Sequence, residues 1–238
     1  MKNSTRLCLL SLVALPLTAC QSGGYMSSVA LTGAESRQHV VEAISEGVSE
    51  QQVAEDEFEA AGRMLASIQV ASEAEASKLY SEYLDQIDRC ARHVERFNEQ
   101  ITVLQTGAEN LFVDWEAELE QFTSDAIREQ SSRRLDAARS GFALLHDELM
   151  GVHGQMAASL STHKDYALYF NHNLAGSSRE LLGEENSRFM ATMAAMNEDC
   201  KVVESDARTF NERLAGPAES PAKVAKPEGE GEGEGAAR

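Results

Sequence analysis

From residue 17 to residue 216 the chain contains no proline, and through most of that stretch apolar side chains return every seven residues. Proline is the strongest interrupter of helices, because it lacks an amide hydrogen and its ring meets the preceding turn. A proline-free run of this length, rich in Ala, Glu, Leu, Arg and Gln, favours long helices and disfavours a loop-rich enzyme fold. A seven-residue period held over five or more repeats keeps one seam of each helix against a neighbour, which is the pattern of a left-handed coiled coil.

Cap signals divide the run. Ser/Thr-x-x-Glu boxes, in which the hydroxyl takes a first-turn amide and the carboxylate reaches back, occur at Thr32…Glu35, Ser72…Glu75 and Ser177…Glu180. A fourth start, Thr123-Ser124-Asp125, has cap residues without the box. The predicted helices therefore cover about 33–70, 73–121, 125–175 and 178–214. In the second, Tyr80, Ile87, Val94, Ile101, Ala108, Trp115 and Phe122 form one seam position, and Tyr83, Cys90, Phe97, Leu104 and Leu111 the other. In the third, Leu135, Phe142, Leu149, Met156, His163 and Phe170 run beside Ala138, Leu145, Val152 and Tyr166. Leu182, Phe189, Met196, Val203 and Phe210 alternate with Met193, Cys200, Ala207 and Leu214 in the fourth. The first is less regular: Val40, Ile44, Phe58, Leu65 and Ile68 fit, while Glu55 and Gly62 interrupt. Short connections make neighbours antiparallel. The expected fold is all-α, an elongated antiparallel coiled-coil bundle of three long helices with a less regular, more loosely packed N-terminal helix alongside.

The ends differ from this body. Lys2 and Arg6 precede an apolar run from Leu7 to Leu17, and Leu17-Thr18-Ala19-Cys20 follows. This resembles a bacterial lipobox, which implies removal of residues 1–19, acylation of Cys20 and, with Gln21 next, sorting to the outer membrane. Residues 20–32 then form the lipidated Cys and a flexible tether, 33–214 the helical domain, and 215–238 a disordered acidic tail. The tail holds Pro217, Pro221, Pro227 and the Glu-Gly alternation from Glu228 to Gly235, with little apolar surface to bury. No other run is apolar enough to span a bilayer.

Charge and motif content narrow the chemistry. A net charge of −18 repels a nucleic-acid backbone. Bundle di-metal enzymes need Glu-x-x-His pairs, and none of the six histidines has Glu three residues before it. No Gly-x-Ser-x-Gly elbow or phosphate loop occurs either. No catalytic residue, metal or cofactor is therefore expected. His163 falls in the seam, where a polar layer fixes register. Asn171, His172 and Asn173 end the third helix as a capping or interaction cluster. With Cys8 removed and Cys20 acylated, Cys90 and Cys200 are the spare cysteines. Reflection through the turns near 123 and 177 puts them at similar height, so they are either a disulfide or two buried free thiols. A bond requires the second and fourth helices to be neighbours. A site formed by Cys90, His93 and Cys200 would lack a fourth metal ligand.

Leu111-Phe112-Val113-Asp114-Trp115-Glu116-Ala117-Glu118-Leu119, Ser131-Ser132-Arg133-Arg134-Leu135 and Tyr169-Phe170-Asn171-His172-Asn173-Leu174 together resemble a family of bacterial envelope proteins known only as a domain of unknown function. The likeness covers roughly 37–214 and implies a helical, coiled-coil lipoprotein, with no activity to carry over. The expected role is a lipid-anchored, periplasm-facing scaffold, spacer or adaptor, meeting the membrane through its anchor and an envelope protein as partner, and compatible with a homo-oligomer. The other reading is a small-ligand or metal carrier, which a cavity joining His153, His163 or His172 to carboxylates would favour.

Overall fold

The computed structural model describes residues 24–174 and 183–215, which form four helices with no strand among them: α1 (Gly24–Val70), α2 (Glu73–Leu119), α3 (Asp125–Phe170) and α4 (Gly183–Ala215). The leader 1–19, Cys20, the Ser177…Glu180 box, Leu182 and the tail from 216 lie outside the described residues. Helices α1 and α2, of 47 residues each, extend about 70 Å at 1.5 Å per residue.

Local chemistry sets the boundaries. Ser72 caps α2 in a full box: Glu75 N–H donates to Ser72 Oγ at 3.4 Å, and Ser72 N–H donates to Glu75 Oε2 at 3.1 Å. Only Ala71 and Ser72 therefore separate α1 from α2. At α3 the N-cap is Ser124, whose side chain makes no cap bond. One boundary departs from expectation. α1 begins at Gly24, so the segment read as a tether is helical from there, and Thr32 is interior rather than a cap. Lengthening an existing helix needs no new nucleus, and residues 24–32 contain no proline to halt it.

α1 packs on α2 and α4, and α3 packs on α2 and α4, so the helices stand in cyclic order with α1/α3 and α2/α4 on the diagonals. Each pair of neighbours runs antiparallel. The seams hold: every fourth-helix seam residue from Phe189 to Leu214 is buried, as are Tyr83 to Leu111 on α2 and Leu135 to Phe170 on α3 at their heptad positions, Ala138 being half-buried.

The expectation of a loose first helix is overturned, because α1·α2 is the most extensive helix contact in the molecule. Val40, Ile44, Ala54, Phe58, Ala61, Leu65 and Ile68 are buried, with Gly47 and Gln51 completing an unbroken seven-residue seam. Its small residues bring neighbours closer. A Cβ at Gly62 would stand 3.0 Å from Met190 Sδ, so this glycine is a point of close approach to α4 and not a break. The molecule is a four-helix bundle in which α1 is a full member.

Candidate functional site

At the end where α2 turns into α3, half-buried Trp115 donates its indole N–H to Ser131 Oγ at 2.9 Å. Arg139 of α3 donates to Glu116 of α2 at 2.6 Å, and its guanidinium lies 5.6 Å from the centroid of the Phe112 ring. The bond from Arg139 holds the Glu116 carboxyl below its ordinary range, and the same bond raises Arg139. Phe112, Phe142 and Phe210 continue inward as a series, the first pair edge-to-face with centroids 5.9 Å apart and the second tilted at 6.2 Å.

Beside these contacts opens a cavity of about 300 Å³. Trp115 lines it from α2, Ala137, Ala138 and Gly141 from α3, and Phe210 and Leu214 from α4. A Cβ at Gly141 would come within 3.3 Å of the Phe210 ring, so the glycine keeps this wall thin. Arg134 and Arg213 stand at its rim on different helices. Nearby Arg128, Arg133 and Arg139 each pair with a carboxylate, whereas Arg134 and Arg213 have no such partner among the described residues. A larger trough of about 680 Å³ between α1 and α2 is more open to solvent, and its polar groups answer one another, as where Ser36 Oγ donates to Asp114 Oδ2 at 3.0 Å.

Towards the opposite end the core among the described residues is closed, with an open trough of about 390 Å³ between α3 and α4 outside it, lined by Tyr166 and Phe189 among others. Tyr83 and His163, both buried, share a hydrogen bond between Tyr83 Oη and His163 Nδ1 of 2.6 Å. Phe58 stacks on the imidazole at 5.9 Å, and Phe189 meets it edge-on at 4.5 Å. Burial depresses His163 to about 4 and pushes the Tyr83 phenol upward, so both groups are neutral at pH 7. His163 Nε2 is buried without a hydrogen-bond partner. The layer joins α2 to α3 in a single register, because a shift of either helix would separate the pair. Tyr80 adds a second tie, donating its hydroxyl to the Ala167 carbonyl at 2.9 Å.

A family described as a protein of unknown function, DUF2959, matches residues 25–214. The chain belongs to the DUF2959 family. No curated protein and no solved structure matches it. Within this DUF2959 chain, the stretches Leu111–Leu119 and Ser131–Leu135 meet at the Trp115–Ser131 contact. The third stretch, Tyr169–Leu174, lies at the closed end, roughly 55–60 Å away along α3. There the backbone amides of Asn171, His172 and Asn173 donate to the carbonyls of Ala167, Tyr169 and Phe170. Asn173 Nδ2 also donates to the Tyr169 carbonyl at 2.9 Å, so this segment caps α3. The His172 ring is exposed and lies 3.3 Å from Asn171 Nδ2.

The other residues singled out in the sequence fall separately. His153 lies against Phe97, with ring centroids 6.3 Å apart, and the spacing along the chain keeps His163 roughly 15 Å from both His153 and His172, which are themselves about 28 Å apart. Among the described residues no three His, Cys, Asp or Glu side chains converge on a cation site. His93 pairs with Glu50 on α1. Cys90 and Cys200 are buried free thiols, each pushed up to about 12 by burial. The adjacency that a disulfide between them needs is missing, because α2 and α4 face each other across the diagonal. Trp115, read as a core residue, is a cavity wall. Arg134 stood inside a quoted stretch, but Arg213 and Phe210 carried no signal that would join them to it, since the cavity draws on three helices.

Proposed function

We propose that this DUF2959 chain is a lipid-anchored, periplasm-facing scaffold, spacer or adaptor of the bacterial cell envelope, held at the outer membrane by acyl chains on Cys20 and working without catalysis. The observation that carries this reading is the lipobox-like Leu17-Thr18-Ala19-Cys20 behind a cationic, apolar leader. A rod about 70 Å long with a filled seam suits a body that spans distance and presents side surfaces to an envelope protein. No described helix is long and apolar enough to cross a membrane, and in this reading acyl chains on Cys20 make the attachment. Fractionation of cells expressing Cys20→Ala tests the reading: the variant belongs in the soluble fraction, and sedimentation with membranes would contradict it. Crosslinking in intact cells then identifies the partner. For the carrier reading, none of the described cavities joins His153, His163 or His172 to carboxylates, and the observation on its side is a different one, the apolar cavity beside Trp115.

A further inference from the structure

We propose that the cavity between Trp115, Gly141 and Phe210 is a binding site for a single-chain anionic amphiphile of the fatty-acid class, its alkyl chain inside and its carboxylate between Arg134 and Arg213. The inference deepens the carrier reading and is independent of the anchor, which fractionation tests separately.

Three observations lead to it. The walls are apolar, supplied by an indole, a phenyl ring, Leu214 and small residues of α3. At about 300 Å³ the cavity sits at the lower end of the range for small-molecule sites, which suits one alkyl chain better than the two of a phospholipid. Two guanidiniums from different helices also line it, and neither makes an ion pair among the described residues, although Glu148 and Asp206 line the adjoining cavity that shares Arg213. In a chain with 39 acidic and 21 basic residues, two arginines without an ion pair at one apolar opening concentrate positive charge there. Arg134 and Arg213 are exposed and free to converge on a carboxylate by charge-assisted hydrogen bonds. The nearest acids in sequence, Asp136 and Glu212, do not line the cavity.

Trp115 is the chain's single tryptophan and forms part of the wall, so its emission reports occupancy directly. The purified full chain is titrated with dodecanoate below its micelle concentration, and in parallel with dodecanol, inorganic phosphate and phosphatidylglycerol vesicles. Dodecanoate should shift Trp115 emission saturably, while dodecanol binds at least roughly tenfold more weakly, the loss of about 1.4 kcal/mol from the charged contacts. Arg134→Gln with Arg213→Gln should weaken dodecanoate by a similar factor and leave dodecanol unchanged. Ala137→Leu, which fills the cavity from an exposed wall position without touching charge, should weaken both. Absence of a saturable shift with dodecanoate would overturn the proposal, as would equal binding of dodecanoate and dodecanol. Saturation by phosphate alone would reduce the site to a bare anion site, and a shift with vesicles but not with dodecanoate would make it a bilayer contact; either also overturns it.

Discussion

The two ends of the bundle solve opposite problems with similar residues. At the closed end an aromatic-polar layer of Tyr83, His163, Phe58 and Phe189 is packed tightly, and Tyr83 Oη and His163 Nδ1 answer each other while His163 Nε2 stays without a partner. At the other end Trp115, Phe210 and two arginines leave space and unpartnered charge. Both ends use rings and hydrogen bonds between α2 and α3. They differ in what faces the rings: at the closed end Phe58 of α1 and Phe189 of α4 close over the imidazole, whereas beside Trp115 the α3 wall is alanine and glycine. Small residues bring helices together when the neighbour can follow, as along α1, and leave a void when it cannot.

The largest effect belongs to the closed end. Phe58→Ala, at a fully buried position, should cost about 3–5 kcal/mol in denaturant unfolding. A loss below about 1 kcal/mol would mean that this end is not the tighter one. The next effect depends on pH. His163 titrates near 4 in the fold against 6.5 when free, so the unfolded chain takes up the proton first as pH falls. Its contribution is complete above pH 6.5 and is lost on descent towards about 4, on the order of 3 kcal/mol in all. Comparing unfolding of the native chain and His163→Phe across this window isolates that contribution, and parallel curves would refute it.

Removing one partner of the buried pair costs less. Tyr83→Phe leaves His163 Nδ1 without its bond and should destabilise by about 1–3 kcal/mol, while Tyr83→Phe combined with His163→Phe should recover part of the loss. Additive losses would show that the two side chains are not coupled. The smallest effect lies at the open end. Glu116→Gln breaks a pair whose side chains are 53% and 38% exposed, and should lower stability least of these variants, with an effect that diminishes in salt.

Much of the architecture was legible because seam residues on α2, α3 and α4 are large and apolar, so that the period survives in the sequence. α1 was misread for the reverse reason. Gly47, Gln51, Ala54 and Ala61 fill its seam, and small or polar residues give a weak periodic signal even where they pack most closely. His163 was recognisable as a seam break, but Tyr83 as its partner was not, since both Tyr83 and Phe97 occupy the same kind of position and only the register between helices distinguishes them. The cavity was hidden for a related reason. Arg134 and Arg213 are far apart in the chain, and their common lack of partners exists only once α3 and α4 lie side by side.

On this reading the Tyr83–His163 layer holds the fold while the cavity beside Trp115 binds the amphiphile. Unfolding and dodecanoate titration measured together on Tyr83→Phe and on Arg134→Gln with Arg213→Gln test it most directly. Tyr83→Phe should lower stability by about 1–3 kcal/mol with dodecanoate binding unchanged. The arginine variant should lose roughly tenfold in dodecanoate binding while stability stays within about 0.5 kcal/mol. Loss of both properties in both variants would contradict it.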